Sequence, residues 1–586
     1  MTAPERLAET DLPTECEVAV VGSGFGAAVA AARLAPHVDR GGLVVLERGR
    51  EWVPGDFPAD FVSVRSAVRT RRNPLGLFDL SLGADMDSLV ASGLGGGSLI
   101  YANVLLEPRP EVFATGWPGG IDSESLAPWF DRVREILRPE VSVDEQDARG
   151  GPRTVPGSLR GSGFDPAATS ADVHGRAAEH RPRFAKVEAL EALAAARGTT
   201  TTKVPVAINL TRPEGPNEHG VVQPRCTLCG NCMTGCNVGA KTTMRASYLP
   251  RAHADGARLV TGAEVTTVTP SSRPGRRWCL TGTRHVVRGG RVVPRRFELH
   301  CDVVVLGAGS LGTTGILLRS RDRGLDLSAA LGDHFSGNGD SLAVAYNSSG
   351  RRTGLGARDA FAPEFETGPT ITAMVDLRTS EGGHLVQDGA VPYGLAEALR
   401  RILGARFALQ RDEKVWCDLR GNGCPPGCGA LEHSQVWLAM GADGARGRIT
   451  LDRRGRPRVA WRGSGHQRIF AEQARDVALL SENTEARLVA NPRHALLGRG
   501  RPSYTPVTVH PLGGAVTADS VERGACDSRG RVFTGDGRVH AGLYVTDGAL
   551  CPTSTGANPS LTIAALAERN VDHLIRDDLA RLRAER

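Results

Sequence analysis

Apolar positions along this chain fall into short continuous runs that stop at glycine turns. CEVAVVGSGFGAAVAAARLA passes from an apolar run through glycines into an alanine-rich stretch, which predicts a buried strand, a tight turn and a helix. GGLVVLERG supplies the next strand, so the chain opens as a βαβ unit. A long region of mixed pattern follows. The strand–turn–helix theme returns in ARLVTGAEVTTVTP and CDVVVLGAGSLGTTGILLRS, and after a second long insertion in GLYVTDGAL and NPSLTIAALAERNVDHLI. Nucleotide-domain elements thus recur at the start, middle and end. That predicts one discontinuous α/β domain and a second domain assembled from the insertions.

Between these lies RRWCLTGTRHVVRGGRVVPRRFELH, the densest basic segment, whose alternation predicts a two-stranded hairpin with arginines on a solvated face. LAEALRRILGARFALQR predicts an amphipathic helix with Leu395, Leu399, Ile402, Leu403 and Phe407 on one side. Packing on the second domain is the ordinary fate of such a helix. A transient membrane-surface contact is the alternative. Residues 150–180, rich in Gly, Pro and Ser, read as a loop excursion.

Composition narrows the class. With 40% hydrophobic and 23% charged residues over 586 positions, the chain reads as an ordinary folded protein of two to four domains. A net charge of +6 with scattered basic residues argues against nucleic-acid binding. The N-terminus lacks a basic region followed by an apolar core, and no apolar run is long enough to span a bilayer, so the expectation is a cytoplasmic protein. Twelve cysteines in so long a chain are not a disulfide scaffold, and four of them cluster.

The chemistry starts from the first glycine turn. Gly22, Gly24 and Ala27, with Gly26 as a further small residue, fit the dinucleotide fingerprint. The first glycine permits the tight turn, the second lets backbone N–H groups approach a pyrophosphate, and the small third residue lets helix pack on strand. Glu47 ends the next strand about 25 residues on, where a carboxylate accepts hydrogen bonds from a ribose. A second glycine cluster, SGLGGGSLIYANV, contributes Gly95, Gly96, Gly97 and Ser98, which allow backbone to lie against a flat or phosphate-bearing ligand, with Asn103 following. Near the C-terminus, His510 precedes a Pro-Leu-Gly-Gly turn, Asp547-Gly548 ends a strand, and Asn558 opens the last helix. A histidine there can manage a hydroxyl proton near neutral pH. An asparagine can hydrogen-bond a developing carbonyl.

Cys226, Cys229, Cys232 and Cys236 have C-x2-C-x2-C-x3-C spacing, the run of bacterial ferredoxins, with Asn237 where proline is usual after the fourth cysteine. Three readings stay open: a [4Fe-4S] cluster, with Cys417, Cys424 or Cys428 as a spare ligand; a structural zinc; or reduced thiols in a loop beside the cofactor domain. Cys16, Cys279 and Cys301 sit in apolar strand contexts and read as inert core thiols.

Taken with CTLCGNCMTGCNVGAKTTMRASYL, GAGSLGTTGILLRS, HPLGG and NPSLTIAALAER in this order, the chain resembles the glucose–methanol–choline flavoprotein oxidoreductases. Its nearest likeness there is the cholesterol-oxidase branch, in the mycobacterial type that carries a cysteine run. The resemblance implies FAD. It implies an α/β fold with a discontinuous Rossmann-like FAD-binding domain (1–115, 225–325 and 505–586) and an inserted α+β substrate domain with a mixed or antiparallel sheet (116–224 and 326–504). The first turn and Glu47 would hold the ADP half, the triple-glycine loop and Asn103 would run along the isoalloxazine and ribityl, Val265 would meet the adenine through its backbone, and Asp547-Gly548 would sit near the pyrophosphate. His510 and Asn558 fall on the family's catalytic pair, so that a hydrophobic alcohol, favoured as a 3β-hydroxysteroid, loses hydride to flavin N5 and its proton to the histidine. Oxygen is the favoured acceptor, giving hydrogen peroxide. A dehydrogenase of long-chain or specialised-metabolite alcohols using an electron carrier, and a flavin–cysteine electron relay without alcohol substrate, are the alternatives. Sterol oxidases of this kind also use a loop glutamate to shift a double bond. The matching segment, GGHLVQDGAVPYGL, offers Asp388 beside Gln387 instead, and an exposed loop aspartate is the competing reading.

Overall fold

The structure is a computed structural model that describes residues 5–141, 184–350, 354–363, 367–379, 383–410, 412–420, 427–490 and 506–585. The excursion at 150–180 lies outside the described residues, as does Cys424.

Five short strands, Arg258–Val260, Leu43–Leu46, Val18–Val21, Val303–Leu306 and Val539–Val545, pair in that order, all parallel, and Arg531–Phe533 closes the edge antiparallel. Val18–Val21, Leu43–Leu46 and Val303–Leu306 are buried at every residue, which is why each reads as an unbroken apolar run and not as an alternation. One face is covered by the helices Phe25–Leu34, Tyr248–Ala254 and Ser560–His573, with Ser123–Leu137 outside them. The other face carries the helix Ser310–Arg321 and a three-stranded antiparallel sheet, Ala263–Pro270, Trp278–Arg288 and Arg291–Cys301. The predicted basic hairpin is the last two of these strands. Gly289 and Gly290, at φ +53° and +74°, form the two-residue turn that right-handed strand twist requires.

A second six-stranded sheet runs Arg487–Ala490, Ser341–Tyr346, Gln435–Gly441, His384–Gly389, Ala373–Asp376, Thr201–Lys203, with every pairing antiparallel. The helices Ala185–Ala196 and Arg468–Asn483 cover one face. The fold is thus α/β, a mostly parallel nucleotide-type sheet joined to an antiparallel sheet built from the insertions. The amphipathic helix is Tyr393–Phe407, with Leu403 buried and Leu399, Ile402 and Phe407 packed against the same cluster; Leu395 instead is 36% exposed. Among the described residues no helix is long and apolar enough to cross a membrane.

Candidate functional site

The three glycine turns meet at the C-terminal ends of the parallel strands, where such sheets leave a crevice. A Cβ on Gly22 would lie 2.3 Å from the Gly307 carbonyl oxygen, and one on Gly26 only 1.7 Å from that of Thr546. Ala27 abuts Gly307. These small residues let the first helix seat against the neighbouring strands. Gly24 differs: a Cβ there meets only the Gly96 Cα at 3.9 Å, and one on Gly97 meets nothing within 4 Å. Gly95 and Gly96 take φ of +115° and +54°, and Gly96 approaches Gly24, so the triple-glycine loop lies directly over the first turn.

Glu47 ends its strand inside this junction. Its carboxylate accepts from Ser23 Oγ at 2.5 Å and from the Gly49 and Gly93 amides at 2.8 and 3.2 Å, while burial pushes the carboxyl pKa up. Ser98 ties its loop to the segment at Met244, donating to the Gly95 carbonyl at 2.6 Å and accepting from the Met244 amide at 2.9 Å. Asn103 is fully buried at φ +68°, and among the described residues neither its Oδ1 nor its Nδ2 has a partner; the same holds for Thr546 Oγ1. Val265 sits at an irregularity in its strand, just before the register slips. Asp547 joins the Gly307–Gly309 turn to its own strand end, accepting from Gly309 N, Thr313 Oγ1 and Ala549 N at 2.8, 2.5 and 2.8 Å, and burial raises its pKa to about 6. The Gly548 carbonyl accepts from Gly513 N at 2.8 Å, so the turn after His510 rests on this segment.

His510 and Asn558 are held by a short segment that the sequence pattern does not reveal, Ser336-Gly-Asn-Gly-Asp340. The fully buried Asp340 carboxylate lies 3.0 Å from His510 Nδ1 through one oxygen. Through the other it accepts from Thr508 Oγ1 and Val509 N, also at 3.0 Å. Two residues earlier, Asn338 at φ +57° accepts from Thr555 N and Gly556 N at 2.9 and 3.1 Å and donates to the Ala557 carbonyl at 2.9 Å. The segment is itself pinned by buried Asp443, which accepts from Ser336 Oγ, Gly337 N and Gly339 N. One five-residue turn therefore positions both loops. From the antiparallel sheet, Gln387 Nε2 donates to Asn558 Oδ1 at 2.8 Å, and the buried Gln387 Oε1 has no partner among the described residues.

Asp388 corrects the sequence reading. It is not on an exposed loop but on the central strand His384–Gly389, and it does not join the pair. Strand alternation sends Gln387 to Asn558 and Asp388 to the opposite face. There its carboxylate lies 3.0 Å from Lys186 Nζ and accepts from Thr372 N, Thr372 Oγ1 and Ala373 N at 2.8, 2.6 and 2.8 Å, with both charged side chains fully buried.

All four thiols of the cysteine run line one cavity of about 540 Å³, together with Ile208 and Phe361. Burial pushes Cys226 and Cys236 up and Cys229 to about 11. Beside them Lys241 is buried, its pKa lowered to about 8 by desolvation. Its ammonium donates to the carbonyls of Leu99, Tyr101 and Cys232 at 3.0, 2.7 and 3.0 Å, and among the described residues it has no carboxylate partner. It thereby ties the triple-glycine loop to the cysteine turn. Cys417 and Cys428 face each other elsewhere, away from this cavity.

Two family models of the GMC oxidoreductases match, over residues 85–335 and 443–567. The chain is 28% identical to a cholesterol oxidase of Mycobacterium tuberculosis over 94% of its own length and 90% of the relative's. It is 24% identical to a cholesterol oxidase of Acinetobacter baumannii over 95% and 93%. The solved structure of a fungal aryl-alcohol oxidase superposes with a TM-score of 0.57 at 16% identity, covering 97% of this chain and all of that one, which bears on the fold. The two family models together match more than half of the chain, and the chain belongs to the GMC oxidoreductases, FAD-dependent enzymes that oxidise alcohols.

Proposed function

We propose that this protein oxidises a hydrophobic secondary alcohol, favoured as a 3β-hydroxysteroid, with oxygen as acceptor. The observation that carries the chemistry is the joint positioning of His510 and Asn558 by residues 336–340. The preference for a sterol rests on likeness to cholesterol oxidases along nearly the whole chain.

The junction suits FAD. Buried Asn103 and Thr546 offer unpaired polar atoms, and Gly24 and Gly97 leave room for a pyrophosphate and a flat ring. Gly22, Gly24, Gly26, Ala27 and Glu47 would hold the ADP half, with Val265 at the adenine. Gly95, Gly96, Gly97, Asn103, Asp547 and Gly548 would lie along the rest, Ser98 shaping the loop through its own hydrogen bonds. FAD bound there supplies the hydride acceptor. Asp340 fixes His510 with Nδ1–H directed to its carboxylate, which leaves Nε2 as the base for the alcohol proton and lets the carboxylate stabilise the imidazolium that forms. Asn558, its Oδ1 occupied by Gln387, has its Nδ2–H2 to donate to the carbonyl as it develops. Asp388 is committed to Lys186, so the predicted product keeps its double bond where the substrate had it. Cholesterol turnover with peroxide release and an unconjugated 3-ketone supports this reading; flavin reduction by aliphatic alcohols alone refutes it.

A second reading, a dehydrogenase passing single electrons to a carrier, is favoured by one observation. Among the described residues the buried Lys241 ammonium has no carboxylate partner, and the acidic side chains beside it are the Cys232 and Cys236 thiols of the cysteine cavity. A single zinc requires sulfurs about 3.8 Å apart, from Zn–S distances near 2.3 Å. No three of the four thiols lie within 4.8 Å of one another, so a larger iron–sulfur cluster suits the cavity better than one ion. Iron analysis and a brown absorption bleached by dithionite test it; iron-free protein with full activity refutes it.

A further inference from the structure

On the three-stranded sheet, away from the cysteine run, Cys279 and His300 stand directly opposite each other in the hairpin register, and Thr281 opposes Glu298. Strand alternation puts Cys279, His300 and Glu298 on one face, since 298 and 300 are two residues apart. Cys279 Sγ lies 4.0 Å from His300 Nε2, and the ligand atoms of all three side chains fall within 4.8 Å of one another. Among the described residues no other group of three metal-binding side chains converges so closely. Cys279 and His300 are 8% and 4% exposed, whereas Glu298 is exposed. The imidazole is already oriented: Ser271 Oγ sits 2.9 Å from His300 Nδ1, and Oγ also accepts from the Arg273 amide at 3.0 Å. A proton on Nδ1 directed to Ser271 leaves the Nε2 lone pair toward the thiol, the arrangement that metal-binding histidines owe to an outer partner.

We propose that Cys279, Glu298 and His300 form a three-ligand site for a zinc-class divalent cation, with water or a partner group in the fourth position. The donor set of thiolate, imidazole and carboxylate suits a borderline-soft ion and not calcium or magnesium. A tetrahedral ion with Zn–S about 2.3 Å and Zn–N about 2.0 Å places those two atoms about 3.5 Å apart, so closure from 4.0 Å asks for a side-chain adjustment of about half an ångström. On binding, the Cys279 thiol gives up its proton to solvent. One thiolate and one carboxylate then balance the dication and leave no net charge in a half-buried place. The ion would clamp both hairpin strands where the backbone of His300 also pairs with the segment at Thr14 and Cys16. Cys279 is therefore a ligand and not the inert core thiol that its apolar strand context suggests.

The test uses full-length, flavin-loaded protein stripped with chelator, titrated with Zn²⁺, passed through gel filtration and analysed for metal by mass spectrometry. Wild type should retain one zinc per chain that Cys279→Ser and Glu298→Gln both lose and Cys232→Ser keeps. Ser271→Ala should weaken binding by about 10-fold or more, as loss of an outer hydrogen-bond partner does. Because Glu298 is exposed, Glu298→Gln leaves the fold intact and keeps the comparison valid if Cys279→Ser misfolds. Zinc retention unchanged in folded Glu298→Gln, or no zinc retained by wild type, overturns the proposal.

Discussion

Replacing Asp340 with Asn tests whether the buried carboxylate sets the tautomer of His510. The carboxylate faces three donors, Thr508 Oγ1, Val509 N and His510 Nδ1, each at 3.0 Å, and is fully buried. An amide of the same size can accept through only one atom. If its oxygen keeps Thr508 and Val509, its NH2 faces His510 and forces the proton onto Nε2, which then has no lone pair to take the alcohol proton. If it turns over, a donor meets the Thr508 hydroxyl and the Val509 amide and that loop is dislodged. A hydrogen bond to a charged group contributes about 1.5–3 kcal/mol. At about 1.4 kcal/mol per decade, the flavin-reduction step should slow about 10- to 150-fold, the tautomer argument favouring the upper end. The assay is the anaerobic rate of flavin bleaching at saturating alcohol, with flavin content and the apparent affinity for alcohol measured in parallel. A folded, yellow Asp340→Asn protein that bleaches within about 3-fold of wild type would refute the assigned role.

Other substitutions probe the glycine junction and two buried lysines. Gly26→Ala should fail to fold, because its Cβ would lie 1.7 Å from the Thr546 carbonyl oxygen, whereas Gly24→Ala, whose Cβ would make an ordinary contact at 3.9 Å with the Gly96 Cα, should fold and purify colourless; a yellow Gly24→Ala would show that the cofactor does not pass there. Asp388→Ala strands the buried Lys186 ammonium and should cost about 3–5 kcal/mol in a urea titration while the turnover of folded enzyme is kept; lost turnover at unchanged stability would return Asp388 to the site. Lys241, lowered to about 8 by burial, holds its proton in the unfolded chain up to its ordinary 10.5, so between these values the unfolded state binds more protons and stability rises with pH. Relative to Lys241→Met, the wild type should gain up to about 1.4 kcal/mol per pH unit across that window, and a flat difference would mean that an anionic partner already neutralises the ammonium.

Much of the nucleotide side was legible because buried parallel strands such as Val18–Val21 and Val303–Leu306 leave unbroken apolar runs, and the turns after them need glycine for steric reasons visible at Gly22 and Gly26. What stayed hidden depended on parity and on long-range side-chain bonds. HLVQDG ends in the pair Asp-Gly and carries two polar residues in succession, which reads as a turn. In the fold it is a fully buried strand, and a one-residue difference in face decides that Gln387 reaches Asn558 and Asp388 does not. Asp340 and Asn338 act on residues 170 and 217 or more positions away, and nothing local in Ser-Gly-Asn-Gly-Asp distinguishes it from an ordinary loop. The Cys279–His300 pairing likewise needs the hairpin register, which places together residues 21 apart.

Anaerobic titration of the yellow protein with cholesterol, followed as flavin bleaching in the wild type and in His510→Ala, tests whether a sterol reduces the flavin with His510 as the base. If His510 plays that part in sterol oxidation, wild type should bleach fully and His510→Ala should keep bound flavin that stays oxidised on the same timescale. Wild type that bleaches only with short aliphatic alcohols, or His510→Ala that bleaches as fast as wild type, would contradict it.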